Sequence, residues 1–161
     1  MMKNLLEKAV IAYNGSQSSF NAVLYGILLS KQFKLSLKVV YVVDSAAITM
    51  LTLNKFMVSA EGENIRQRLL QEGEKDLEYV KTLARSKGVK IETEIREGAV
   101  SSELLAAASE FKADLILVGS SSSTDSKSRI NGGLSRQKAG IIADAPCSVM
   151  VVKKDDVKKF F

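Results

Sequence analysis

Leu115-Ile116-Leu117-Val118-Gly119, followed at once by the serine run Ser120 to Ser123, is the segment that most restricts how this chain folds. An apolar run that stops at a glycine and opens into small polar residues reads as a strand buried on both faces. Such a strand delivers a backbone loop to the carboxyl end of a parallel sheet, and open α/β sheets bind their ligands at that end. The chain begins in a similar way, with Lys8 to Tyr13 running into Asn14-Gly15-Ser16. Two junctions of this kind predict a crevice of the nucleotide-binding type between neighbouring strands.

The residues between these junctions alternate between short β-like runs and longer runs with helical period. Strands are predicted at 8–13, 37–43, 89–95, 114–119 and 148–152. A helix over 17–32 follows from Phe20, Val23, Leu24, Ile27 and Leu28, with Ser16 or Ser18 as cap. A second, over 65–87, follows from Ile65, Leu69, Leu70, Leu77, Val80 and Leu83 and is closed by Gly88. Ser101 or Ser102 opens a helix through Leu104, Leu105, Ala108 and Phe111, and a last helix covers 135–143. The segment 44–64 has no clear period. Met50, Leu51, Leu53, Phe56 and Met57 are too apolar for a free loop, so a packed or partner-covered segment is expected there. The sum is one α/β domain over 1–161: an open, five-stranded parallel sheet with right-handed crossovers and helices on both faces. Residues 154–161 read as a flexible, solvated tail.

Composition narrows the chemistry. The chain has no histidine, which excludes Ser-His-Asp, Cys-His and histidine-based zinc chemistry. Cys147 is the single cysteine, so no internal disulfide forms and a reducing, cytoplasmic home is expected. It reads as a small buried hydrophobe. No apolar run reaches membrane-spanning length and the start carries an acid, so neither a membrane span nor a secretory signal is expected. Net charge is +5, but bases are scattered among acids and aromatics make up only 6%. Nucleic-acid binding is therefore not expected.

Four segments, taken together, resemble a known family. Ile11-Ala12-Tyr13-Asn14-Gly15-Ser16, Val40-Tyr41-Val42-Val43-Asp44, Ala113 to Ser120 and Ala145-Pro146-Cys147-Ser148-Val149-Met150-Val151-Val152 are similar, in order and at matching separations, to the strand segments of universal stress proteins, the UspA family. The resemblance implies a flavodoxin-like sheet of strand order 3-2-1-4-5, related to the adenine-nucleotide hydrolases. It also implies a homodimer formed through the last strand, Val149, Met150, Val151 and Val152, across a two-fold axis.

Some family members bind ATP or a related adenine nucleotide, with Mg²⁺ when bound, through glycine, two residues, glycine, nine residues, glycine, then serine or threonine. Glycines let amide N–H groups approach phosphate oxygens. This chain keeps that pattern only in part. Gly119 fits the first position and Ser122 replaces the second glycine. Counting forward places the last pair at Gly132-Gly133, and counting back from Val149 places it at Ser135-Arg136. The family's acid after the first strand, which meets the ribose, is here Asn14. An amide keeps an acceptor but loses the charge-assisted bond, at about 1 kcal/mol.

The nucleotide-site candidates implied by the resemblance are Ala12, Asn14, Gly15, Ser16, Val42, Gly119, Ser120, Ser122, Gly132, Gly133, Ser135 and Arg136, with Lys127, Arg129 and Lys138 as nearby charge. Ala12, Asn14 and Val42 take the positions that meet base or ribose in nucleotide-binding relatives. No catalytic residue and no metal ligand is assigned. Asp44 and Asp125 are the carboxylates near the crevice. Three readings stay open: a stress-response module that binds an adenine nucleotide weakly, a ligand-free dimer acting through protein partners, with 46–57 as contact surface, and a slow ATP hydrolase.

Overall fold

The computed structural model describes residues 3–55, 57–120, 129–130 and 134–161, with the backbone alone at 129–130 and 134–135. Strand β1 (Lys8–Tyr13) leads into α1 (Gln17–Phe33), then β2 (Ser36–Val43), α2 (Ser45–Leu53), α3 (Ser59–Ser86), β3 (Ile91–Glu97), α4 (Val100–Phe111) and β4 (Leu115–Gly119). A two-stranded ribbon, β5 (Arg129–Ile130) with β6 (Leu134–Ser135), precedes α5 (Arg136–Asp144) and β7 (Ser148–Val152). The main sheet runs β3-β2-β1-β4-β7, with every neighbouring pair parallel. This is the predicted order 3-2-1-4-5, with strand direction and helix placement as expected.

The two faces of the sheet explain the near-continuous apolar runs. Ala9, Ile11, Leu37, Val39, Leu115 and Leu117 pack with α1 and α3 in one core. Val10, Val40, Ile116 and Val118 pack with α4 and α5 in the other. All five residues of β4 are buried, because both of its faces are covered. Truncating Ile11 or Leu117, both fully buried, to alanine would cost roughly 2–5 kcal/mol. Gly73 lets α3 come close to the sheet: a Cβ there would lie 2.9 Å from the Tyr41 ring.

Local chemistry moves several boundaries. The segment 44–64 is mostly helical. Asp44 caps α2 by accepting from the Ala47 N–H at 3.1 Å, and α3 begins at Ser59, ahead of the first clear apolar period. The apolar residues of α2 are only partly covered. Gly62 of α3 sits against Thr52 and Ile48, while Met50 and Leu53 stay 64% and 76% exposed. Helix α4 starts from Ala99 without a side-chain cap, so neither Ser101 nor Ser102 opens it. Gly88 has φ +72° just beyond α3, as a helix-closing glycine requires. The chain's end is docked where a loose tail was expected. A single 3-10 turn over Val157–Phe160 buries Val157 in the α1-side core, and the Lys87 ammonium lies 4.7 Å from the Phe161 ring centre and donates to its main-chain oxygen. The buried Val157, the Phe161 ring against the core and the Lys87 contact act together to hold this short segment.

Candidate functional site

The strand order reverses between β1 and β4, and their carboxyl ends frame a cleft there. On the β1 side the chain turns sharply at Gly15, whose φ of +84° lies in the left-handed region. Ser16 then caps α1, accepting from the Ser19 N–H at 3.2 Å. Asn14 closes the turn: its Oδ1 accepts from the Ser16 N–H at 3.0 Å and from the Ser19 hydroxyl at 2.8 Å. The one Ser19 hydroxyl proton is shared between this oxygen and the Ser16 carbonyl at 3.0 Å, so Oδ1 is turned into the loop. A backbone N–H needs an oxygen opposite it, which fixes which way the amide points. Nδ2 is left as a donor with no protein partner among the described residues. The α1 amino terminus has no acid in its first turn, so its N–H groups and dipole favour an anion.

On the β4 side, Gly119 is buried and the Ser120 N–H donates to the Val152 carbonyl at 3.1 Å. A Cβ at Gly119 would strike the Ser18 carbonyl and lie 2.8 Å from the Ser19 nitrogen. The glycine is therefore required by the contact of β4 with the first turn of α1, whatever binds beyond it. Ala12, Val40, Val42 and Val118 form the floor of the cleft, Val100 and Leu104 of α4 one wall, and Gln137, Lys138 and Ile141 of α5 the other. The enclosed volume is about 90 Å³, below the roughly 300–1,000 Å³ of common small-molecule pockets.

Helix α4 is held over the sheet by ion pairs. Arg96 reaches Glu94 at 2.7 Å and Glu103 and Glu110 at 2.8 Å each, and Lys38 reaches Glu94 at 2.8 Å. Arg96 lies opposite Val42 in register, and Glu103 adjoins the cleft residue Leu104. The other face of the sheet carries a tyrosine cluster below Gly15. Tyr13 and Tyr41 meet edge to face at 6.0 Å. Burial, then the charge of Asp76, push the Tyr13 hydroxyl up to about 12, so it stays protonated and is no base at neutral pH.

Of the sequence-predicted residues, Ala12, Asn14, Ser16, Val42 and Gly119 line the cleft together. Gly15 does not: it faces α3, where a Cβ would lie 3.1 Å from Asp76 Oδ2. Ser120 stands at the strand end in its bond to Val152. Arg136 is exposed at the start of α5 and outside the lining, which passes instead to Gln137 and Lys138. Ser135 pairs with Arg129 in the ribbon. Ser122, Asp125, Lys127, Gly132 and Gly133 lie outside the described residues. The contributions of Val100, Leu104 and Ile141 escaped the sequence reading, although strand parity held the signal. Ala12 and Val42 share a face with Val10 and Val40, so the helices covering that face must wall the cleft.

Comparison with known proteins agrees with this architecture. Residues 6–153 match the Universal stress protein family. Universal stress protein MJ0531 of Methanocaldococcus jannaschii is 36% identical over 154 residues, covering 94% of this chain and 85% of that protein. Among solved structures, universal stress protein UspA from Lactobacillus plantarum matches with TM-score 0.78 at 17% identity, over 94% of this chain and 100% of that one. A universal stress protein family protein from Arabidopsis thaliana, with AMP bound, matches with TM-score 0.65 at 19% identity, over 92% of each chain. A universal stress protein in complex with cAMP matches with TM-score 0.56 at 22% identity, over 91% of this chain and 96% of that one. The solved structures speak to the fold. The family match spans nearly the whole sheet, and with the Methanocaldococcus relative it fixes kinship: the chain belongs to the universal stress protein family.

Proposed function

We propose that this chain is a cytoplasmic, homodimeric stress-response module that binds an adenine nucleotide weakly in the cleft between β1 and β4. The observation that carries the reading is an apolar slot meeting a donor-rich rim where the strand order reverses. The base would rest against Ala12 and Val42, the ribose would pass Asn14, and the phosphates would meet the α1 amino terminus and the loop leaving Ser120, with Lys138 adding charge. The AMP and cAMP held by the two similar structures support adenine as the base. A Mg²⁺ ion would accompany a triphosphate. Asp44 is engaged in capping α2, which supports binding rather than turnover.

Weak binding follows from the inward turn of Asn14 Oδ1, which leaves the ribose hydroxyls without a carboxylate acceptor. Calorimetric titration with AMP, and with ATP plus Mg²⁺, tests the reading. Dissociation constants of tens of micromolar or more are expected, and submicromolar affinity would contradict the role given to Asn14. The second reading is a ligand-free dimer acting through protein partners, favoured by the exposure of Met50 and Leu53 on α2. Absence of any nucleotide binding in a sample that still dimerises would select it.

The dimer would form through β7. The Ser120 N–H reaches the Val152 carbonyl, so the main-chain groups of Val152 and Met150 turn toward β4, and those of Val149 and Val151 turn toward the open edge. Side chains alternate correspondingly: Val149 and Val151 pack on the α4 side, Met150 and Val152 on the α1 side. The same strand of a second copy, antiparallel about a two-fold axis, would cover that edge, with Lys153 and Lys154 limiting its length.

A further inference from the structure

The other edge of the sheet presents a different surface. Among the described residues β3 pairs with β2 alone. Along its amino-terminal half run two contiguous grooves of about 730 and 660 Å³ that share Gly88 to Glu92. Six basic side chains rim them, namely Lys31, Lys34, Lys81, Arg85, Lys87 and Lys90, against one acid, Glu92. Elsewhere on β3 charge is neutralised locally: Arg96 holds three glutamates and Arg66 holds Glu63 and Glu97. Around the grooves, Lys31, Lys34, Lys81, Arg85 and Lys90 form no ion pair with any carboxylate among the described residues.

The hydrogen-bond register says which backbone groups are free. The Gly98 N–H donates to the Val43 carbonyl, and Val43 lies opposite Glu97. In a parallel ladder this turns the main-chain groups of Glu92, Glu94 and Arg96 toward β2 and those of Ile91, Thr93 and Ile95 outward. The grooves therefore expose a strand edge with unpaired donors and acceptors, bordered by uncompensated positive charge. Among the described residues they contain no aromatic side chain, so they offer none of the stacking that single-stranded nucleic acid uses.

We propose that the groove along Val89–Thr93 is a docking site for an acidic, extended segment of another protein, which adds to the free edge of β3 as a further strand. Main-chain bonds to Ile91 and Thr93 supply affinity, and the basic rim selects acidic side chains. The site lies at the amino ends of the strands, opposite the nucleotide cleft, and stands independently of it.

The test uses a fluorescent peptide of alternating glutamate and valine, its glutamine-for-glutamate counterpart, and oligothymidylate of equal charge, read by anisotropy. The acidic peptide is expected to bind, the glutamine counterpart about tenfold more weakly. Lys34→Glu with Lys90→Glu is expected to weaken the acidic peptide about tenfold, while Lys75→Glu with Lys112→Glu, an equal reversal at exposed positions outside the groove, leaves it unchanged. Thr93→Pro removes an outward N–H without touching the β2–β3 ladder and is expected to weaken binding with melting temperature retained. Slower amide exchange at Ile91 and Thr93 in the wild-type complex reads strand addition without a mutation. No peptide binding, equal loss in the control reversal, unchanged exchange at both amides, or oligothymidylate binding as tightly as the peptide would each overturn the proposal.

Discussion

The Oδ1 of Asn14 accepts the hydroxyl of Ser19 at 2.8 Å, and this bond, with the Ser16 N–H on the other lone pair, turns the residue from an acceptor into a donor as seen from the cleft. Asn14→Asp should keep both internal bonds through one oxygen and present the second to a ribose hydroxyl. Nucleotide affinity should rise by up to about tenfold, or 1–1.5 kcal/mol. Asn14→Ala should cost about 1 kcal/mol of stability, because the Ser16 N–H loses its acceptor, while the Ser19 hydroxyl falls back on the Ser16 carbonyl at 3.0 Å. Calorimetry and urea unfolding of the two variants check both halves. An aspartate variant that binds no better would refute the lone-pair argument.

Gly119 and Gly140 should respond oppositely to alanine. At Gly119 the new methyl meets the backbone of Ser18 and Ser19, which cannot rotate away as a side chain would. A loss of about 1–3 kcal/mol is expected. At Gly140 in α5 the nearest atoms outside its own helix are 3.9 Å off, so the ordinary helical preference for alanine should add about 0.5–1 kcal/mol. Urea midpoints at neutral pH decide the signs.

Alkaline stability should depend on Tyr13. Its hydroxyl is pushed up to about 12 by burial and by Asp76, while in the unfolded chain it titrates near about 10. A group raised on folding lends stability that is whole below the unfolded value and disappears as pH climbs through the folded one. Stability should therefore fall between about pH 10 and 12, less steeply in Tyr13→Phe. Tyr41, raised for the same reasons, should leave a residual slope. Identical slopes in wild type and variant would count against the assignment.

Val151→Pro should abolish dimers and spare the fold, since its N–H faces the open edge. Met150→Pro should break the β4–β7 ladder and unfold the domain's edge. Sedimentation at micromolar concentration, beside circular dichroism, separates the two. A wild-type monomer would refute the β7 interface.

The sheet's two cores were legible in the sequence because the stretches Ala9–Ile11, Val39–Val40 and Leu115–Gly119 are buried and apolar, whereas the strand order was implied by the likeness of four segments to the universal stress proteins. The segment 44–64 was not legible, because α2 packs one side only on Gly62 and leaves Met50 and Leu53 outward, which blurs any period. The site was half legible. Ala12, Asn14, Val42 and Gly119 follow from where strands end. That Gly15 turns toward Asp76, and that Lys138 rather than Arg136 reaches the cleft, depends on how the loop and α5 are set in space. The donor character of Asn14 depends on Ser19, five residues on, folding back onto it.

A sheet open at β3 and at β7 carries two unsatisfied borders on one small body. Lysines stand beside each, at Lys90 on one and Lys153 and Lys154 on the other, and like charge at a strand edge discourages open-ended pairing between copies. That protection reaches only about 8–10 Å in physiological salt. The colloidal behaviour of the protein should therefore be set by ionic strength, with solubility falling as salt and protein concentration rise together.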